Sequence, residues 1–181
     1  MSGALLLLAQ PPFGFVLLPF LCLVPLLVAL GSIPAGSRGG GKAAGLASLF
    51  GMAFWGVALV WVPVSVGPHF QWAYPGYLGL VLILAGLSGA FGLTAHYLHK
   101  GRGWPLSLAV PMAWVGMEWL KAHFPLGLSF PWLGLAVSLT EWPEFLVLAE
   151  FAGEPAVAFW LAGVNGLVAE AVLGSRSLSG A

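Results

Sequence analysis

The sequence predicts an all-α fold, a polytopic transmembrane helical bundle, and composition and charge support that class. Of the 181 residues, 60% are hydrophobic and only 7% are charged, and the mean hydropathy is +0.98. The charged residues are six Lys or Arg and six Glu, and Asp is absent. A soluble domain carries roughly 25% charged residues, because water must solvate its surface. This chain lacks that coverage, so we expect lipid to surround it.

Apolar runs divide residues 1–174 into about six membrane segments, since a spanning helix needs about 20 mainly apolar residues. The predicted segments are 5–12, 15–33, 43–67, 74–98, 104–120 and 155–173. The first is short and would need its neighbours to cross. A more polar stretch with an outer Pro/Trp loop precedes the last segment. Residues 175–181 are expected to form a cytoplasmic tail or a truncated connection.

The basic residues predict the orientation of the bundle through the positive-inside rule. Under strict alternation of the segments, five of the six basic residues lie on one side: Arg38, Lys42, Lys100, Arg102 and Arg176. This places both termini in the cytoplasm, and the connections 68–73 and 122–154 on the outer side of the membrane.

Small and polar residues mark where helices are expected to touch. Gly86, Gly89 and Gly92 follow one another at three-residue spacing in the fourth segment. Glycines of this kind let helix backbones approach closely in lipid. Asn165 lies deep in the last segment, and we expect its side chain to hydrogen-bond another helix.

Several function classes find no support in the sequence. Zero net charge offers no basic face for nucleic acid. The single cysteine, Cys22, lies in an apolar run and is expected to pack rather than react. His96 and His99 have no third ligand nearby, so we predict neither a metal site nor a cofactor. Residues 36–43 fit the Gly-Lys part of a phosphate-binding loop, but Ala43 replaces its Ser or Thr, and we interpret them as a flexible hairpin.

The most unusual stretch is MEWLKAHFPLGLSFPWLGLAVS, residues 117–138. Glu118 and Lys121 lie three residues apart near the end of the fifth segment, a spacing at which they can pair on a helix. Ionisable groups in a membrane are costly, so they pair, face a cavity or serve function. We favour a structural ion pair that fixes the helix end over a substrate contact. No catalytic set is evident, because without Asp there is no Ser-His-Asp arrangement.

This stretch resembles the membrane part of bacterial apolipoprotein N-acyltransferase. The runs LLLLAQPPFGFVLLPFLCLVPLL and FGMAFWGVALVWVPVSV and the glycine-led last helix follow in the same order, from about Leu5 to Ala171. The family's outer loop reads G-F-P-W, and here it is residues 129–132, with serine in place of the glycine. The family's Y-S-Q segment matches residues 137–139, where only Ser138 agrees.

The resemblance implies a multi-pass protein of the bacterial inner membrane, with phospholipid and a lipoprotein N-terminus as substrates. The family moves an acyl chain from phospholipid to the α-amino group of diacylglyceryl-cysteine, using a Cys, a Glu and a Lys of a nitrilase-like periplasmic domain. This chain lacks those three, so it is expected to be inactive alone. Phe130, Pro131, Trp132 and Ser138 are expected to bind lipid substrate at headgroup depth.

Three interpretations of the chain stay open. It is a fragment of a full enzyme, which we favour, or a membrane subunit whose catalytic domain belongs to another polypeptide. Alternatively, it is a scaffold or transporter-like module that shares only the bundle. A transporter is expected to show repeat symmetry and helices broken at mid-membrane, and the sequence has no convincing internal repeat.

Overall fold

The computed structural model describes residues 1–125 and 129–179, with side chains as far as Ser175. In these residues every regular element is helical. The α-helices are α1 (Ser2–Ala9), α2 (Val24–Gly31), α3 (Ser37–Ala58), α4 (Trp61–Ser65), α5 (Ala73–His96), α6 (Leu106–Ala122), α7 (Ala149–Ala152) and α8 (Glu154–Ser179). Short 3₁₀ turns cover Leu18–Phe20, Leu135–Leu139 and Pro143–Leu146, and a π turn, Tyr97–Gly101, continues α5.

Three stretches are long and apolar enough to cross a membrane: Ser37–Ser65, Ala73–Gly101 and Glu154–Ser175. They match the third, fourth and sixth predicted segments. Of the other three segments, the first and fifth hold helices of the predicted length, with 8 residues in α1 and 17 in α6. The second is interrupted, and its α2 has only 8 residues. Eight residues rise only about 12 Å, less than half of a hydrocarbon core. The all-helical membrane class is therefore confirmed, and three of the six predicted segments contain a candidate spanning helix.

Proline explains why the second predicted segment is not one helix. Pro19 opens the 3₁₀ turn and Pro25 opens α2, and each lacks the N–H that a continuous helix would need. Asn165 of α8 forms hydrogen bonds with the backbone of this interrupted segment. Its Oδ1 accepts a hydrogen bond from Leu23 N–H at 2.9 Å, and its Nδ2 donates to Pro19 O at 2.8 Å. The partner of Asn165 is thus interrupted backbone, which in a membrane is tolerated only where it is buried in protein.

Helices α3 and α5 pack side by side in opposite directions. A Cβ at Gly92 would stand 2.6 Å from Ala43 O, and one at Gly89 would meet the Ser48 hydroxyl. Gly86 differs from the prediction, because a Cβ there would have no atom within 4 Å. Three residues advance a helix by about 300° rather than a full turn. Equal spacing therefore rotates Gly86 away from the α3 face.

Gly92 and Gly86 form a matched pair for testing this contact. We expect Gly92→Ala to lower the free energy of unfolding by about 1–3 kcal/mol, because the added methyl group overpacks α3. Gly86→Ala should leave it unchanged or raise it by up to about 1 kcal/mol through helix propensity. Denaturant titration of both variants in detergent micelles measures the difference. Equal effects would mean that the α3–α5 contact does not discriminate between them.

Helix α6 takes its position from aromatic and glycine contacts. Trp114 meets Phe91 of α5 edge-to-face, with ring centroids 5.1 Å apart, and a tilted Phe50 of α3 at 6.4 Å. On its other side α6 packs against α8, where a Cβ at Gly166 would stand 2.7 Å from Leu106 O. These contacts fix the first turn and the middle of α6, and Glu118 and Lys121 lie near its other end.

Candidate functional site

The end of α6 meets residues 129–139, named here the Pro/Trp loop, and two charged side chains join them. Glu118 Oε1 accepts hydrogen bonds from Trp114 Nε1 at 2.9 Å and from Leu135 N–H at 2.7 Å. Lys121 Nζ donates to Trp132 O at 2.8 Å. Glu118 and Lys121 thus each bond the loop backbone, at two points three residues apart, and Glu118 also bonds Trp114 within α6.

Aromatic rings enclose the lysine. Lys121 is only 3% exposed, and its Nζ lies 5.1 Å from the ring centroid of Trp55, close enough for a cation–π interaction. Phe130 presents an edge to the same Trp55 ring at 5.9 Å and is 8% exposed. Its backbone N–H also donates to Lys121 O at 2.8 Å. Phe130 is therefore a packed anchor of the loop, and its ring is not available as a contact surface.

Trp132 is the exposed member of the loop. Its side chain is 63% exposed, and its ring meets Phe130 edge-to-face at 5.0 Å. The next residue, Leu133, has a φ of 56°, a left-handed conformation that is costly for a branched side chain. The hydrogen bonds on Trp132 O and Leu135 N–H hold this turn from both sides. The α6 charges therefore fix the backbone from which Trp132 projects.

A cavity of about 230 Å³ lies between the end of α6, the Pro/Trp loop and the start of α8. Glu118, Lys121, Pro131, Gly134 and Glu154 contribute to its lining. A Cβ at position 134 would meet the Glu154 carboxylate, so a side chain there would have to displace it. Charged groups of both signs in a cavity of this size suit a polar headgroup.

An apolar groove of about 660 Å³ between α6 and α8 continues from this cavity. Val115 and Pro155 line both spaces. Farther along, Phe159, Gly163 and Leu167 of α8 line the groove. Cavity and groove together match the two parts of an amphiphile: the charged cavity lies beside the Pro/Trp loop, and the apolar groove runs along the bundle.

Ser138 is placed differently from a residue that contacts substrate. It is 2% exposed, and its hydroxyl donates to Leu135 O within the 3₁₀ turn. A hydroxyl bonded to its own turn is satisfied locally, and Ser138 lines neither the cavity nor the groove described above. Pro131, in contrast, is exposed and lines the 230 Å³ cavity.

Three residues of the site were not predicted from the sequence: Gln10, Trp55 and Glu154. Gln10 Nε2 donates to Gly134 O at 3.3 Å, which ties the end of α1 to the loop. Its polarity at the end of an apolar run was the one available signal. Trp55 and Glu154 reach the site through helix packing, and their sequence positions give no indication of that.

Comparison with known proteins decides the family of this chain. Residues 2–167 match the apolipoprotein N-acyltransferase N-terminal domain. The chain belongs to the apolipoprotein N-acyltransferase family. Three curated relatives named apolipoprotein N-acyltransferase agree with this assignment. That of Geobacter metallireducens is 26% identical over 168 residues, that of Rhodopirellula baltica 31% over 170, and that of Methylococcus capsulatus 32% over 181.

The match is nearly complete for this chain and partial for its relatives. It covers 91%, 90% and 97% of the chain in the three comparisons. The same alignments cover 31%, 28% and 34% of the relatives. The chain therefore spans about a third of the apolipoprotein N-acyltransferases it matches, and that third is their N-terminal domain.

Proposed function

We propose that this chain is the lipid-binding membrane part of an apolipoprotein N-acyltransferase. The full enzyme transfers an acyl chain from a phospholipid to the N-terminal amine of diacylglyceryl-cysteine in apolipoproteins. In this proposal the chain anchors the enzyme in the bacterial inner membrane as a multi-pass protein with a cytoplasmic N-terminus. It also holds the lipid substrates where their reacting atoms reach the membrane surface.

The observation that carries the proposal is an exposed Trp132 on a loop fixed by Glu118 and Lys121. Tryptophan favours the interface between hydrocarbon and water, because its ring is apolar and its N–H is polar. A fixed loop presents that ring in one place, which lowers the entropy lost when a lipid binds. The adjoining cavity and the apolar groove then accept the polar and apolar parts of the lipid.

The transfer chemistry itself belongs, in this proposal, to a nitrilase-like domain supplied in cis or in trans. The one thiol of this chain, on Cys22, is fully buried in the bundle, where it is inaccessible to substrate. Size distinguishes the two arrangements. A native product well above 18.9 kDa in source membranes supports a domain in cis, whereas a product of that mass supports a separate catalytic partner.

Trp132→Ala tests the lipid-binding role in a complete enzyme. We expect kcat/KM for the phospholipid substrate to fall about tenfold, as for loss of one aromatic anchor of a binding site. The free energy of unfolding should change little, because most of this side chain is already exposed. Acyl transfer measured at varied phospholipid concentration gives the value.

Trp72→Ala provides the matched control. Trp72 is 65% exposed, close to the value for Trp132, precedes α5, and lines neither the cavity nor the groove described above. Its replacement should leave turnover within about twofold, as expected for a surface position outside the binding site. Equal turnover of the Trp132→Ala variant and the unmodified enzyme would refute the proposed role.

A further inference from the structure

The end of the bundle opposite the Pro/Trp loop brings the first turn of α3 against the last turn of α5. Because the two helices run in opposite directions, Gly40 packs on Leu93 and Gly39 on His96. A Cβ added at Gly39 would meet the Pro34 carbonyl first and would stand 3.0 Å from His96 Nε2. Because both positions are glycine, the first turn of α3 has no side chain of its own on the face toward α5.

The amide groups that open α3 have no acceptor. The structure gives this helix end no side-chain cap, and the residue before it, Gly36, has no side chain to supply one. Its first backbone hydrogen bond runs from Gly40 N–H to Gly36 O, at 3.0 Å. Among the described residues, the N–H groups of 37–39 therefore lack a partner. The open start of a 22-residue helix favours a bound anion, because its N–H groups and dipole are positive there.

Three exposed basic residues belong to the two helix ends that meet here. Arg38 and Lys42 are exposed one turn apart on α3, and Lys100 is exposed at the end of α5. Within the described ranges, none of these three has a carboxylate within 4.0 Å. Arg102 differs, since its Nε donates to the Tyr97 hydroxyl at 2.9 Å and its guanidinium lies over that ring. The cluster around the start of α3 thus carries uncompensated positive charge.

His96 is a second, independent sign of a ligand. It is 5% exposed, and neither ring nitrogen has a hydrogen-bond partner. Buried polar groups are rarely left unpaired, since desolvation without a hydrogen bond is costly. Apolar side chains of α2 and α6, including Leu27 and Val110, lie around the ring. Its Nε2 faces the first turn of α3, where a bound oxyanion would supply an acceptor.

We propose that the first turn of α3, with Arg38, Lys42 and His96, binds the phosphate group of an anionic phospholipid. Helix α3 begins one of the candidate spanning stretches, so its first turn lies at headgroup depth. Topology alone requires basic side chains near a segment end. It does not require an uncapped helix, adjacent glycines or an unpaired buried histidine. Their coincidence at one helix end indicates a site.

Lipid titration of the full chain tests the site. The chain is placed in phosphatidylcholine nanodiscs with increasing phosphatidylglycerol of the same acyl chains, and bound phosphatidylglycerol is counted by native mass spectrometry. Arg38→Gln should weaken this binding about fivefold, as for loss of one charge-assisted hydrogen bond. Arg102→Gln removes the same charge from the same end and should change it less than about twofold. Equal losses would indicate diffuse surface charge and overturn the site.

Two histidine variants and free phosphate complete the test. His96→Phe removes the donor and should weaken phosphatidylglycerol binding about fivefold, whereas His96→Gln keeps an N–H donor and should retain most of it. If either variant fails to fold, the arginine pair still decides. Inorganic phosphate should compete with phosphatidylglycerol. If inorganic phosphate stabilised the chain against unfolding and phosphatidylglycerol did not, the lipid would be overturned as the source of the phosphate group.

Discussion

Glu118→Ala is expected to lower the free energy of unfolding by about 3 kcal/mol, through loss of charged hydrogen bonds and of the charge beside a buried cation. The variant leaves Leu135 N–H and Trp114 Nε1 without their acceptor. It also removes the negative charge near Lys121, which is 3% exposed and cannot turn to water without unpacking Trp55. Denaturant titration in micelles measures the change, and Trp132 accessibility to a quencher should rise with it.

Glu144→Ala is the control for general charge effects. Glu144 is exposed in the 3₁₀ turn Pro143–Leu146, so its loss should change the free energy of unfolding by less than about 0.5 kcal/mol. Glu118→Gln keeps an acceptor oxygen and should fall between the two. A Glu118→Ala variant as stable as Glu144→Ala would mean that the carboxylate does not hold the Pro/Trp loop.

The sequence identified the charged residues of the site but not their partners. Glu118 and Lys121 were singled out because ionisable groups are costly in a membrane, and a pair three residues apart on a helix suggested an ion pair. In the loop, the atoms they bind are Trp132 O and Leu135 N–H. A hydrogen bond to backbone does not depend on the side chain of the partner residue, so residue type gives no sign of it.

Helix lengths also depend on hydrogen-bond partners that the sequence does not reveal. Hydropathy located the apolar stretches, including α3 and α5, since burial in lipid depends on composition. It could not show that 15–33 holds a 3₁₀ turn and the eight-residue α2. Continuity of a helix depends on whether backbone groups beside Pro19 and Pro25 find partners elsewhere. Asn165 of α8 bonds Pro19 O and Leu23 N–H, and Ser2 of α1 accepts from Leu26 N–H. The prolines were visible in the sequence, whereas Asn165 was 140 or more positions away from the groups it bonds.

Asn165→Leu tests that dependence directly, and we expect it to lower the free energy of unfolding by about 3 kcal/mol. Leucine has the same branching and the same number of side-chain heavy atoms, so the shape of the site changes little. Leu23 N–H loses its acceptor, Pro19 O loses its donor, and both lie where Asn165 is fully buried. About 16 Å along α8 from Glu154, water cannot replace these bonds without entering the bundle. Hydrogen exchange of the 18–24 amides should therefore accelerate before that of α3.

Ser175→Ala on the same helix supplies the comparison. Its hydroxyl donates to Val172 O at 2.9 Å but is exposed, so water takes over that bond and the free energy of unfolding should change by less than about 0.5 kcal/mol. If Asn165→Leu accelerates exchange equally in α3 and in residues 18–24, the asparagine contributes to general packing. Faster exchange confined to residues 18–24 would instead show that the buried side-chain amide of Asn165 holds this proline-interrupted segment in the bundle.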